Sequence, residues 1–240
     1  MSNTTHDIVA KLWNLCNILK DGAIVYHQYV TELTYLLFLI MAKETDIELK
    51  LPEGYRWDDL EALEESEQLE FYKLLLEYLG SKGSILVKEI FADADTDIKK
   101  ANTLNTLVAE INKLDWYNAK QEGMGDIYEG LLEKNANESK AGAGQYFTPR
   151  ALIDSMVQVM RPTLKDVIQD PAAGTGGFLI SANRYIREHE EPNSWTSAQK
   201  KKYETNTFYG MEFVPDTFRM GCMNLMLHGV ESDHAKEGKR

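Results

Sequence analysis

The chain has 240 residues, of which 43% are hydrophobic and 10% aromatic. This composition supports an ordinary core and argues against wholesale disorder, and the length predicts one or two domains. The net charge of −12 arises entirely in residues 1–135, which hold 13 basic and 25 acidic residues, whereas residues 136–240 hold 13 of each. Because acidic surfaces repel phosphate backbones, residues 1–135 are a poor candidate for the principal nucleic-acid reader.

The sequence carries no targeting or membrane signal. No basic segment leads into an apolar run at the N-terminus, and the longest apolar run, Tyr35–Ala42, is far shorter than the ~20 residues of a membrane span. Cys16 and Cys222 lack metal-type spacing and are predicted to be buried thiols in a reducing compartment. We therefore expect a soluble cytoplasmic protein without a metal site or membrane contact.

Residues 1–135 are predicted to form an acidic, all-α helical bundle domain. Apolar residues recur at helical spacing, and Pro52 and Gly54 place a loop at residues 50–58. The predicted helices cover residues 6–20, 27–43, 60–79 (as one or two helices), 84–91, 98–114 and 126–134. The small and polar residues 135–144 mark a junction, so the second domain is assigned to residues 136–240.

Residues 136–240 show the pattern of an α/β domain. A helix with apolar positions 152, 153, 156, 157 and 160 is predicted to follow Thr148 as N-cap and Pro149 as first helical residue. Two short strands follow, one ending at Asp170 and one spanning Phe208–Glu212. Lys200, Lys201 and Lys202 are predicted to lie in a solvated polar loop. The segment Asn224–Gly229 closes the helix after the second strand.

The most informative segment is Asp170-Pro171-Ala172-Ala173-Gly174-Thr175-Gly176-Gly177, between the first strand and a helix. Glycines let a ligand lie against bare backbone. A pyrophosphate site avoids an anion at its mouth, so Asp170 favours a ligand with a cationic part. S-adenosylmethionine carries an ammonium and a sulfonium, and the segment therefore predicts a site for this cofactor.

Glu212 ends the second strand, where ligands of doubly wound folds bind, and an acid there can accept both ribose hydroxyls. The alternative for Glu212 is a solvated acid at a strand end. Upstream, Gln145-Tyr146-Phe147-Thr148-Pro149-Arg150 precedes a helix, and Phe147 is equally consistent with packing under that helix and with proximity to the cofactor.

These segments, in this order, resemble the methylation subunit of type I restriction–modification systems, a family of S-adenosylmethionine-dependent DNA adenine-N6 methyltransferases. The resemblance covers nearly the whole chain, including Leu12-Trp13, residues 34–41 and Gly125–Leu131. It implies an all-α domain followed by a Rossmann-like methyltransferase domain, incomplete in this chain. It also implies DNA adenine methylation in a complex with a DNA specificity subunit, a second methylation subunit and a restriction subunit, with double-stranded DNA bound through the complex.

The resemblance also assigns roles to residues. Gln145, Tyr146, Phe147, Thr148, Pro149 and Arg150 would contact the methionine part of the cofactor. Asp170 would anchor the loop and the amino group, and Glu212 would hold the ribose. The loop beside the cofactor would include Ala172, Gly174, Thr175, Gly176 and Gly177.

The catalytic motif of this family is missing. Adenine-N6 methyltransferases carry Asn/Asp-Pro-Pro-Tyr/Phe, which receives the flipped adenine, but none of the 6 prolines of this chain is adjacent to another. We therefore expect an N-terminal portion of a longer protein, with no catalytic residue and no activity alone. A non-catalytic assembly or cofactor-sensing module with a vestigial methyltransferase domain is the alternative. A dinucleotide-dependent enzyme is weaker, because Leu179 stands where a third glycine is expected.

Overall fold

The computed structural model describes residues 3–20, 26–138, 148–230 and 236–237. The chain divides into two compact units, Met1–Ala143 and Gly144–Arg240. Each unit is described separately below. Cys16 lies in the first unit and Cys222 in the second, and both are buried thiols, as predicted.

The first unit is helical, and its described residues contain no strand, in agreement with the predicted all-α bundle. A 3-10 helix at Asp46–Lys50 separates the second and third α-helices. The α-helices are α1 (Asn3–Lys20), α2 (Tyr26–Lys43), α3 (Trp57–Glu61), α4 (Glu65–Lys82), α5 (Ile85–Ile90), α6 (Ala101–Asn112), α7 (Trp116–Glu122) and α8 (Met124–Glu138).

The core of the first unit is built around α2. Every residue from Leu33 to Ala42 is buried, so the apolar run is surrounded by other helices. Tyr35 stacks on Phe91 with ring centroids 5.5 Å apart. The run is therefore part of the core of the first unit. Among the described helices, none is long and apolar enough to cross a membrane.

Two short helices of the first unit were not predicted. The helix α3 begins inside the predicted loop 50–58, where the backbone N–H of Arg56 donates to Asp59 Oδ2 at 2.9 Å. The helix α7 begins after Asp115, whose Oδ1 accepts the backbone N–H of Asn118 at 3.1 Å. In both cases an aspartate accepts a backbone N–H at the start of the helix, a local signal that apolar periodicity misses in such short helices.

The second unit contains α-helices and short strands in alternation. A 3-10 helix at Pro192–Ser194 follows its second α-helix. The elements are α9 (Arg150–Met160), β1 (Ile168–Asp170), α10 (Gly177–His189), α11 (Ser197–Asn206), β2 (Phe208–Glu212), α12 (Pro215–Leu227) and β3 (Lys236–Glu237).

The strands form a parallel sheet in the order β1-β2-β3. In the β1–β2 pair, Ile168 lies opposite Phe208 and Asp170 opposite Gly210. The β2–β3 pair is only two residues long. Because both β1 and β2 run the same way, their carboxyl ends meet at one edge of the sheet. The core beneath this sheet includes Leu179, Ile180 and Ile186 of α10 together with Phe208 and Leu225.

Two predictions about helix positions in this unit were wrong. Pro149, rather than Thr148, is the N-cap of α9, and its carbonyl accepts the N–H of Leu152 at 3.0 Å. The prediction relied on the preference for proline at the first helical position, but the extended ψ of 134° places Pro149 just outside the helix.

The second error concerns Lys200–Lys202, which lie in the helix α11 instead of a polar loop. Thr196 and Gln199 form a capping box at its start, with the Thr196 N–H donating to Gln199 Oε1 at 2.8 Å. Lys202 is half-buried, and its Nζ donates to the carbonyl of Leu164 at 2.9 Å. This lysine is therefore structural, whereas Lys200 and Lys201 are exposed.

Candidate functional site

The loop between β1 and α10 is held in a compact turn by hydrogen bonds among its own residues. The N–H of Ala172 donates to Asp170 Oδ1 at 3.1 Å, and the N–H of Gly176 donates to the carbonyl of Ala173 at 2.8 Å. Gly174 and Gly176 have φ of 56° and 83°, in the left-handed region where glycine is unstrained. A Cβ on Gly174 would meet nothing within 4 Å, so this side of the loop is open.

Glu212 joins the end of β2 to this loop. Its Oε2 accepts the backbone N–H of Gly174 at 3.0 Å, across 38 residues of sequence. Its Oε1 accepts the N–H groups of Phe213 at 2.7 Å and Val214 at 2.8 Å, immediately before α12. Glu212 is half-buried and bonded to three backbone donors, so it is not a fully solvated acid.

The helix α12 forms the wall behind the loop. A Cβ on Gly221 would lie 2.8 Å from the carbonyl oxygen of Gly174, which means that helix and loop are in direct contact. Asn224 Nδ2 donates to the carbonyl of Thr175 at 2.9 Å, and a Cβ on Gly176 would lie 3.0 Å from Leu225 Cγ. A cavity of about 20 Å³ lies at this junction, lined by Ala173, Gly174 and Glu212 together with Phe218 and Cys222 of α12.

The start of α9 approaches the other end of the loop. A Cβ on Gly177, the first residue of α10, would lie 3.0 Å from Ile153 Cδ1. Asp154 Oδ1 accepts hydrogen bonds from Ser181 Oγ at 2.6 Å and Arg184 at 2.8 Å, and Arg150 Nε lies 3.5 Å from the same oxygen. These polar contacts fix the first turn of α9 against α10.

The structure thus brings several of the predicted site residues close together. The loop residues Asp170, Ala172 and 174–177 share one edge of the sheet with Glu212. Thr148, Pro149 and Arg150 lie at the start of α9, which reaches this edge through Ile153. Gln145, Tyr146 and Phe147 lie outside the described residues, so their predicted role stays a prediction.

Sequence reasoning missed the contribution of α12. Gly221 and Asn224 both contact the loop, yet neither was predicted as a site residue. Both residues could have been recognised in the sequence. A glycine inside a helix costs about 1 kcal/mol of stability relative to alanine, so it usually has a packing reason. A polar residue within the apolar segment 222–227 similarly points to a specific buried partner.

Comparison with known proteins shows the family of this chain. The N-6 DNA Methylase family matches residues 119–239, which include the glycine loop, Glu212 and α12. The chain belongs to the N-6 DNA methylase family. It is therefore related to proteins that methylate DNA.

Two relatives that match nearly the whole chain are methylase subunits of type I restriction enzymes. The chain is 47% identical over 234 residues to the StySPI methylase subunit of Salmonella potsdam, covering 95% of this chain and 44% of the relative. It is 46% identical over the same length to the EcoKI methylase subunit of Escherichia coli, with the same coverage. The chain thus spans less than half the length of these relatives.

A solved structure supports the similarity of fold. The structure, from work on complex assembly and conformational transition of the type I restriction–modification system, matches with a TM-score of 0.70 and 26% identity. The match covers 99% of this chain and 51% of that one. The helical unit and the second unit are therefore both part of the resemblance.

Proposed function

We propose that this chain is the cofactor-binding portion of a type I methylation subunit, which transfers a methyl group from S-adenosylmethionine to adenine N6 in DNA. The second unit is then the first part of a Rossmann-like methyltransferase domain, and residues 1–135 are the helical domain that precedes it. The observation that carries the proposal is the hydrogen bond between Glu212 and Gly174, because it unites an acid at one strand end with the glycine loop at the next.

The loop fits a ligand that carries both a carboxylate and an ammonium. A Cβ on Gly174 would meet nothing within 4 Å, so the backbone there has no side chain to obstruct a ligand. The loop leads into α10, a 13-residue helix without an acidic residue in its first turn. Its positive end favours a carboxylate, and Asp170 favours an ammonium. An amino-acid moiety carries both groups, in keeping with the methionine part of the cofactor.

Glu212 is proposed to hold the ribose. A carboxylate offers about four acceptor positions, and backbone N–H groups occupy three of them here. A ribose hydroxyl can bind to the remaining position. Gln145–Arg150 are proposed to contact the methionine part, since the helix that follows them adjoins the loop. When bound, the cofactor supplies an electrophilic methyl group on its sulfonium.

The adenine-binding half of the site is proposed to lie outside these 240 residues. The chain contains no Asn/Asp-Pro-Pro-Tyr/Phe, and its relatives are more than twice the length that it matches. We propose that the chain alone is inactive and acts in the cytoplasm with a specificity subunit, a second methylation subunit and a restriction subunit. Double-stranded DNA would be bound through that complex, because residues 1–135 are strongly acidic.

The experiment is calorimetric titration of the 240-residue chain with S-adenosylmethionine, and with NAD as a control for dinucleotide binding. We expect saturable binding of S-adenosylmethionine alone. Binding of NAD, or no binding to a chain whose second unit is folded by circular dichroism and hydrogen exchange, would contradict the proposal.

A further inference from the structure

Asn224 is buried in α12 and connects that helix to the glycine loop. Its side chain is 0% exposed, and Nδ2 donates to the carbonyl oxygen of Thr175 at 2.9 Å. Reversing the amide would set two oxygens against each other, so the hydrogen bond fixes its orientation. The amide thus holds one defined carbonyl at the centre of the loop.

The other end of this amide has no partner. Asn224 Oδ1 is buried and accepts no hydrogen bond from any residue that the structure describes. A buried acceptor without a donor destabilises a protein, and an apolar residue of similar size would avoid that cost. The site therefore retains an asparagine whose only side-chain hydrogen bond to the described residues is the one to the loop.

Two neighbours of Asn224 on α12 contact the same loop. Gly221, one turn earlier, leaves room for the Gly174 carbonyl, and Leu225 packs against Gly176. The three α12 residues thus meet three successive loop residues, 174–176. Only Asn224 among them provides a directional contact, because the other two act through shape alone.

We propose that Asn224 is a positioning residue that sets the conformation of the glycine loop for S-adenosylmethionine. The inference rests on the proposed function for the identity of the cofactor, although its effect on the loop is independent of any ligand. By fixing the Thr175 carbonyl, Asn224 keeps Gly174 and Gly176 in their left-handed conformations and holds the Gly174 N–H toward Glu212.

The first test uses hydrogen exchange without ligand. In Asn224→Ala, exchange of the Gly174 and Gly176 amides should accelerate at least about tenfold relative to the rest of the unit, as expected for a local opening. The matched control is Asn183→Ala, because Asn183 is also buried and donates to a backbone carbonyl, that of His228, at 3.2 Å. Unchanged loop protection in Asn224→Ala, or equal acceleration in both variants, would overturn the proposal whatever the cofactor.

The second test is the affinity for S-adenosylmethionine in Asn224→Asp. At about pH 8 the buried carboxylate should oppose the Thr175 carbonyl and weaken binding at least about tenfold, whereas near pH 5.5 a neutral carboxyl can donate to it and restore binding. Asn224→Ala should not recover. The wild type, measured at each pH, corrects for effects of pH that are shared by all three proteins.

The two tests distinguish failure of the proposed function from failure of the proposed role of Asn224. If the wild-type chain does not bind S-adenosylmethionine, the proposed function fails while the exchange result still decides the role of Asn224. If the wild type binds and Asn224→Asp shows no pH-dependent recovery relative to Asn224→Ala, the positioning role fails. A variant that does not fold by circular dichroism is replaced by Asn224→Ser, for which the same loss of protection is expected.

Discussion

The carboxylate of Glu212 accepts the backbone N–H of Gly174 at 3.0 Å, and this contact joins residues separated by 38 positions in the chain. The same carboxylate accepts two N–H groups at the entrance to α12. Glu212 therefore ties together the strand β2, the glycine loop and α12. A ligand that binds to Glu212 therefore contacts a carboxylate that also holds these three elements together.

Substitution of either acid of the site should weaken cofactor binding. Asp170→Ala and Glu212→Ala are each expected to reduce the affinity for S-adenosylmethionine by at least ~1 kcal/mol, the scale of a lost charge-assisted hydrogen bond. Calorimetric titration measures the effect, with Glu204→Ala as control because Glu204 is an exposed acid in α11. Wild-type affinity in both site variants would remove the basis of the site assignment.

Gly221→Ala should displace the loop. The new Cβ would lie 2.8 Å from the Gly174 carbonyl oxygen, a backbone atom with no rotamer to change. Overpacking of this kind costs ~1–3 kcal/mol and outweighs the helix propensity of alanine. We expect a lower melting temperature together with an affinity for S-adenosylmethionine about tenfold weaker.

The control for Gly221→Ala is Gly80→Ala in α4. A Cβ on Gly80 would lie 2.3 Å from the Phe91 carbonyl oxygen, so this variant also overpacks a helix against backbone, but within the first unit. It should destabilise the protein and leave the affinity unchanged. Equal losses of affinity in the two variants would show that the effect is not local to the loop.

The stability of the first unit should depend on the ionisation of Glu32. This residue is 3% exposed, and its carboxylate accepts hydrogen bonds from Thr96 Oγ1 and the Asp97 N–H. Burial raises the pKa of Glu32 from 4.5 to about 7. The two hydrogen bonds act in the opposite direction and lower the pKa, but burial has the larger effect. Between these values the folded state retains a proton that the unfolded state loses, so the contribution of Glu32 to stability falls as pH rises from about 4.5 to about 7.

Glu32→Gln removes this titration. The free energy of unfolding of the variant minus that of the wild type should increase by up to about 3 kcal/mol from pH 5 to pH 8. The reason is that the variant has no buried carboxyl group to ionise. Urea unfolding at both pH values measures the difference, with the exposed Glu53→Gln as control. A difference from the wild type that is the same at both pH values would disprove the role of Glu32.

An exposed apolar stripe on α9 should cause self-association. Leu152, Met156, Val159 and Met160 lie along one side of the helix, and Val159 is 80% exposed. The sheet is short, and in the described residues its strand β1 is paired on one side, with β2. The apolar stripe and this sheet edge together favour association. Val159→Lys/Met160→Lys should weaken self-association at least about tenfold in analytical ultracentrifugation.

The control for this association is Leu49→Lys, which removes an isolated apolar side chain, 78% exposed, in the first unit. It should leave self-association unchanged. A wild-type chain that remains monomeric and melts cooperatively throughout would contradict the prediction for α9.

Local chemistry was sufficient to predict much of the fold. Buried helical periodicity located α2, and the acid followed by glycines located the turn between β1 and α10. The errors arose where short-range signals competed. Lys200–Lys202 suggested a solvated loop, but the Thr196–Gln199 capping box and the bonds of Lys202 to the carbonyls of Leu164 and Asp166 stabilise a helix.

The sequence by itself determined the chemistry of the candidate site, because Asp170, the glycines and Glu212 are identifiable from residue type and position alone. Only the tertiary structure decided how these parts meet. Parallel pairing of β1 with β2 brings Glu212 to the loop, and the packing of α12 places Gly221 and Asn224 behind it. Such contacts depend on distances between residues remote in sequence, and no local pattern of residues encodes those distances.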